Sequence, residues 1–79
     1  MQAETIMNTT EHIGQVIKRI RNEKGLTQEA LARQAGITYT SLVKIENMQV
    51  HNPRVKTVHA ISEVLKVPME TLLGKTSLK

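Results

Sequence analysis

The first run of apolar residues along the chain has the spacing of a helix. Four of them recur at i, i+3, i+4 and i+7, which is one stripe of an amphipathic helix. These residues are Ile13, Val16, Ile17 and Ile20. Thr10 is a candidate N-cap, and Gly25 is typical of the residue that follows a helix. Gly14 lies inside this helix, where glycine costs about 1 kcal/mol relative to alanine, a cost that a close helix contact would justify.

Two short helices follow, separated by a glycine turn. Thr27 is placed to cap the segment "QEALARQA", whose alanines give it a small surface that can pack closely. Gly36 ends this helix, and Thr38 is placed to cap the next one, "YTSLVKIE". Only Leu42 and Ile45 of that third helix have the spacing of a buried face.

The pattern predicts two more helices and no strand. Val58, Ile61, Val64 and Leu65 mark a fourth helix, and Val67 with Pro68 ends it. The segment "METLLG" reads as a fifth, very short helix that stops at Gly74. We therefore expect an all-α fold of five helices over residues 11–74, with flexible tails at 1–10 and 75–79.

The outward face of the third helix is the first indication of function. Two short helices joined by a glycine turn, the second with an exposed polar face, are the parts of a helix-turn-helix. Such a face can enter the major groove of duplex DNA and contact base edges. The residues on this face are Tyr39, Thr40, Ser41, Val43 and Lys44.

Composition favours duplex DNA as the partner. The 79 residues carry a net charge of +4, which suits an anionic partner. A single tyrosine is the only aromatic residue, so stacking platforms for single strands are missing. There is no cysteine, which fits a reducing cytoplasm and removes thiol chemistry. No apolar run approaches the roughly 20 residues of a membrane span, so we expect a cytoplasmic protein without membrane contact.

The stretch "LTQEALARQAGITYTSLVKIEN" resembles the helix-turn-helix of lambda-repressor-like, Xre/Cro-type DNA-binding domains. The resemblance runs from about Ile13 to Leu73 and implies a compact five-helix lambda-repressor-like domain. It implies base contacts by Tyr39, Thr40, Ser41, Val43 and Lys44. It implies DNA-backbone contacts by Gln28, Thr38, Asn47, His51 and Arg54. Gln28 would also brace the start of the recognition helix.

The resemblance also implies a structural ion pair between Arg21 and Glu46. The chain departs from the family pattern at Met48, where glycine is usual, and at Arg54, where a serine-like cap is usual. We therefore expect the third helix either to be longer than usual or to end in a different turn. Asn52, with Pro53 at the first helical position, could start the fourth helix instead of Arg54.

Single residues on this face also have interpretations other than DNA contact. Tyr39 could cover an apolar edge, and Val43 could contact a partner protein. If both face the groove, their apolar atoms favour thymine methyl groups and partly A·T-rich half-sites. His12, His51 and His59 lack the spacing of a metal site, so we expect no metal. The sequence has no nucleophile elbow, no glycine-rich loop after a strand and no converging pair of carboxylates, so we expect no enzyme activity and no cofactor.

We expect a transcriptional repressor or autoregulator that binds a two-fold symmetric operator as a homodimer. One recognition helix reads few base pairs, and two copies would read half-sites about 34–36 Å apart. The candidate dimer surface consists of Met69, Leu72, Leu73 and Leu78. The chief alternative is an antitoxin that binds a toxin protein and autoregulates its operon. A third interpretation is a helical scaffold domain that has lost DNA binding.

Overall fold

The computed structural model describes residues 12–50 and 52–73. These described residues form five helices and no strand. The helices are α1 (Ile13–Glu23), α2 (Gln28–Ala35), α3 (Tyr39–Glu46), α4 (Val55–Leu65) and α5 (Met69–Leu73). The predicted all-α fold with five helices is confirmed. Thr10, His51, Gly74, Leu78 and both predicted tails lie outside the described residues.

One apolar core joins all five helices. The α1 stripe is buried as its spacing predicts, and each later helix adds one or more fully buried side chains. The most deeply buried side chains are those of Val16, Ile17, Leu31, Leu42, Ile61, Leu65 and Leu72. Leu72 closes the core from α5, with 0% of its surface exposed, so its predicted place on a dimer surface is wrong.

Threonine caps fix the starts of the two helices in the helix-turn-helix. The hydroxyl oxygen of Thr27 accepts a hydrogen bond from the backbone N–H of Ala30, at 3.0 Å. Thr38 accepts in the same way from Ser41, also at 3.0 Å. Gly36 ends α2 in the left-handed conformation, at φ 72°, which only glycine adopts without strain. The predicted caps and turn are confirmed.

Gly25 follows the end of α1 in the left-handed conformation, at φ 71°, as predicted. The start of α1 and both ends of α4 differ from the sequence prediction. His12 precedes α1, and its backbone N–H donates to the side-chain oxygen of Gln15 at 3.1 Å. Arg54 is the N-cap residue of α4, so the suggested start at Asn52 and Pro53 is wrong. Lys66 ends α4 in the left-handed conformation, at φ 60°, before the break predicted at Val67 and Pro68.

Gly14 lets α1 approach the end of α3 at backbone distance. A Cβ atom built on Gly14 would overlap the backbone carbonyl oxygen of Ile45 and crowd the backbone of Glu46. The close contact between the two helices therefore requires glycine at this position. The contact sets the separation of α1 from the C-terminal end of α3.

A buried ion pair joins the same two helices. Arg21 Nε lies 2.7 Å from Glu46 Oε2, and a second guanidinium nitrogen donates to Glu46 Oε1 at 3.0 Å. The third guanidinium nitrogen donates to the backbone carbonyl of Leu26, at 2.7 Å. Only 9% of the Arg21 side chain and 1% of the Glu46 side chain are exposed. The predicted ion pair is present, and it ties α1, the turn before α2, and the last residue of α3 together.

Replacing Gly14 with alanine tests the close contact. Alanine would add about 1 kcal/mol of helix propensity, but the overlap with Ile45 costs more, so we expect a net loss of about 1–2 kcal/mol. Thermal unfolding by circular dichroism should show a midpoint lower by about 5–10 °C. Asn22→Ala, at an exposed position of α1, is the matched control and should change little. An unchanged or higher midpoint for Gly14→Ala would contradict the contact.

Replacing Arg21 with methionine tests the ion pair. Glu46 would keep a buried charge without its partner, which costs about 3–5 kcal/mol. Arg19→Met is the matched control, because Arg19 is half exposed and lies 4.0 Å from Glu23, a surface pair worth less than about 1 kcal/mol. Chemical denaturation should separate the two variants clearly. Equal free energies of unfolding for the two variants would contradict a buried ion pair between Arg21 and Glu46.

Candidate nucleic-acid interface

Helix α3 buries one side and presents the other to solvent. Leu42, Ile45 and Glu46 are buried, and they fasten the helix to the rest of the domain. Tyr39, with 49% of its surface exposed, marks the open side together with Thr40, Ser41 and Lys44. Val43 is half-buried between the two sides. The structure thus brings four of the five predicted base-contacting residues to an open face and partly covers the fifth.

The beginning of α2 lies beside the beginning of α3. Tyr39 shares a shallow cleft with Thr27, Gln28 and Glu29, so the first turns of the two helices form one surface. Glu29 is exposed there and was not singled out from the sequence. Its place beside Tyr39 depends on how the two helices cross, which the sequence pattern does not specify.

Gln28 has a different partner from the one the resemblance implies. Its side-chain Nε2 donates to Glu46 Oε1 at 3.0 Å, at the last residue of α3. The predicted brace to the start of the recognition helix is therefore wrong, because the bond reaches the opposite end of that helix. The amide is half-buried, at the open edge of the buried ion pair.

The hydroxyl group of Thr38 is occupied within the protein. It accepts the N-cap bond from Ser41 N–H and donates to Ser41 Oγ at 2.9 Å. A phosphate oxygen only accepts hydrogen bonds, so in this arrangement Thr38 has no side-chain proton to offer it. Ser41 keeps its own hydroxyl proton for an outside acceptor.

The loop after α3 closes through a strained residue. The helix ends at Glu46 and does not run on, and the exposed Asn47 is its C-cap residue. Met48 takes the left-handed conformation at φ 64°, which costs an ordinary side chain about 1–2 kcal/mol. Gln49 N–H then donates to the carbonyl of Lys44 at 2.9 Å. The turn expected of a glycine is thus made by methionine, and the expectation of a longer helix is wrong.

A cleft of about 490 Å³ separates α3 from the start of α4. Its lining residues are Ser41, Lys44, Ile45, Val50, Pro53, Arg54 and Thr57. Lys44 and Arg54 bring two positive charges to this one cleft, and the first turn of α4 has no acidic residue to offset them. Thr57 follows Arg54 by one helical turn and adds a hydroxyl group that the sequence pattern does not indicate.

The other candidate chemistry does not line these clefts or is absent from the described part of the chain. His59 lies on the exposed side of α4, with Nε2 3.5 Å from a Glu63 carboxylate oxygen. No group of three metal-ligating side chains occurs within residues 12–50 and 52–73. None of the described helices is long and apolar enough to cross a bilayer.

Comparison with known proteins identifies this arrangement. Residues 17–72 match the family model described as helix-turn-helix. The transcriptional regulator SinR of Bacillus subtilis is 41% identical over 63 residues, and the Bacillus licheniformis SinR is 40% identical over 63 residues. Each alignment covers 80% of this chain and 57% of the relative. The chain thus spans little more than half the length of these curated relatives.

Solved structures agree with the sequence relatives. The crystal structure of SinR in complex with DNA has a TM-score of 0.75 and 41% identity, over 77% of this chain and 97% of that chain. The P22 c2 repressor bound to a synthetic operator has a TM-score of 0.75 at 23% identity, and it shows the same fold. It covers 81% of this chain and 96% of that one. The chain therefore belongs to the lambda-repressor-like (Xre/Cro-type) helix-turn-helix family.

Proposed function

We propose that the chain binds a specific sequence of double-stranded DNA through α3 and regulates transcription, as a repressor. The observation that carries the proposal is the similarity to SinR in a structure with DNA, at 41% identity and a TM-score of 0.75. The relatives named above are transcriptional regulators or a repressor. The antitoxin alternative has no comparable observation in its favour.

The geometry of the interface supports this function. An exposed α3 can lie in the major groove, where Tyr39, Thr40, Ser41 and Lys44 reach base edges. Arg54 and the loop from Asn47 then lie beside the phosphate backbone, which supplies salt-dependent affinity. Bound at an operator in the cytoplasm, the domain would block RNA polymerase from binding the same DNA.

A homodimer would give the specificity that one short helix lacks. Two copies about a two-fold axis would read half-sites about one helical turn apart. Since Leu72 is buried, the candidate contacts on α5 are Leu73, with 44% of its surface exposed, and the half-buried Met69. The oligomeric state of the Leu73→Glu variant tests this proposed surface: we expect the variant to be monomeric, and a variant that stays dimeric would contradict it.

Selection of bound duplexes from a random-sequence pool tests the proposed function. We expect a two-fold symmetric consensus with half-sites about 34–36 Å apart, partly A·T-rich where Tyr39 and Val43 contact thymine methyl groups. A consensus with G·C pairs at every such step would remove the thymine assignment. No enrichment at moderate salt would contradict sequence-specific binding altogether.

Replacing Lys44 with glutamine tests the orientation on DNA. We expect affinity for the selected duplex to fall about tenfold, and the slope of log K against log salt to become shallower by about 0.9. Lys66→Gln is the matched control, because it removes the same charge at the C-terminal end of α4, about 18 Å along the helix from Arg54. Equal losses in the two variants would show a general charge effect and count against α3 as the contact.

A further inference from the structure

The threonine caps of α2 and α3 differ in one respect that bears on base recognition. Thr27 and Thr38 each accept a hydrogen bond from the backbone N–H three residues further on. At the start of α2 that residue is Ala30, which has no hydroxyl group. At the start of α3 it is Ser41, and the two hydroxyl oxygens lie 2.9 Å apart. The cap of α3 is therefore a pair of hydroxyl groups on the exposed face of the recognition helix.

Cooperativity favours one direction for the hydrogen bond within this pair. Thr38 Oγ1 accepts from the backbone N–H of Ser41, and an oxygen that accepts a hydrogen bond becomes a stronger donor through its own proton. Thr38 therefore donates to Ser41 Oγ. The reverse direction would place two donors on Thr38 Oγ1 and leave the Thr38 proton without a partner in the pair. The proton of Ser41 is thus the one that points away from the pair, toward any ligand of the exposed face.

We propose that Thr38 makes Ser41 a hydrogen-bond donor toward DNA bases, and that the pair excludes cytosine at one step of the operator. An isolated serine hydroxyl both donates and accepts, so it discriminates poorly among bases. The outward proton of Ser41 matches the acceptors that guanine, adenine and thymine present in the major groove, whereas cytosine presents only an amino donor. This inference rests on the proposed DNA-binding function and adds to it the class of base that one residue selects.

Thr38→Asp should reverse the polarity of Ser41 and keep the helix cap. Aspartate is at least as good an N-cap as threonine, but its carboxylate only accepts hydrogen bonds. Ser41 must then turn its proton toward residue 38 and face the bases with its lone pairs. We expect the midpoint of thermal unfolding to stay the same or rise, because a negative charge at a helix N-terminus is favourable. The preferred base should change from guanine to cytosine at the same step.

Fluorescence anisotropy on variants of the selected duplex measures the preference. Ser41→Ala identifies the step, as the one where discrimination among bases is lost, and it keeps the Thr38 cap because that bond comes from the backbone N–H. The natural chain should bind the guanine duplex about fivefold more tightly than the duplex with cytosine on the same strand. Thr38→Asp should reverse this ratio, and Ser41→Ala should remove it. A ratio that Thr38→Asp leaves unchanged would overturn the proposal.

Thr27→Asp is the matched control, because it adds the same charge and the same cap at the start of α2, where Ala30 offers no hydroxyl group. It should weaken binding to all the duplexes alike and leave the guanine-to-cytosine ratio as it is. A reversed ratio in this control would show an effect of charge and overturn the proposal. An equal loss on every duplex for Ser41→Ala would make Ser41 a phosphate ligand, which also overturns it. If the natural chain binds all sequences equally, the proposed function fails and the inference fails with it.

Discussion

A single buried carboxylate holds the recognition helix in place. Glu46 accepts two hydrogen bonds from Arg21 and one from Gln28, so three donors from α1 and α2 meet at the last residue of α3. Taking a carboxylate and a guanidinium out of water is costly, and the cost is offset only when their geometry is good and their remaining groups are bonded. The bond from Arg21 to the Leu26 carbonyl meets part of that requirement. The arrangement favours one placement of α3 over many similar ones.

Backbone contact reinforces the placement at the same end of the helix. Gly14 brings α1 against the carbonyl of Ile45, one residue before Glu46. At the other end, the Thr38 cap and the left-handed Gly36 set where α3 begins. Both ends of an eight-residue helix are thus specified by groups that lie outside its exposed face. A helix this short gains little stability from its own hydrogen bonds, so it depends on this external support.

Much of this structure could be predicted because it follows from local rules. Periodicity located the helices, threonines and Gly36 marked their boundaries, and the family resemblance paired Arg21 with Glu46. The errors have physical causes. Leu72 belongs to a helix of five residues, which is too short for its spacing to separate a core side from an exposed one. Met48 adopts a conformation that is rare for methionine and therefore leaves no signal in the sequence.

The partner of Gln28 could not be predicted for a different reason. Its bond to Glu46 joins residues 18 positions apart, and it depends on the crossing of α2 and α3. The cleft that gathers Lys44, Arg54 and Thr57 depends in the same way on how α4 packs beside α3. Local patterns show which helices exist, whereas such contacts need the angles between them.

The division of α3 into a fastened side and an open side has an evolutionary consequence. Leu42, Ile45 and Glu46 carry the attachment, while Thr40, Ser41 and Lys44 make few demands on the core. Substitutions on the open side can accumulate without loss of folding, so a duplicated gene could acquire a new target in a few steps. The same division makes the domain a scaffold for engineering, in which the exposed positions are exchanged as a set and the buried ones are left alone.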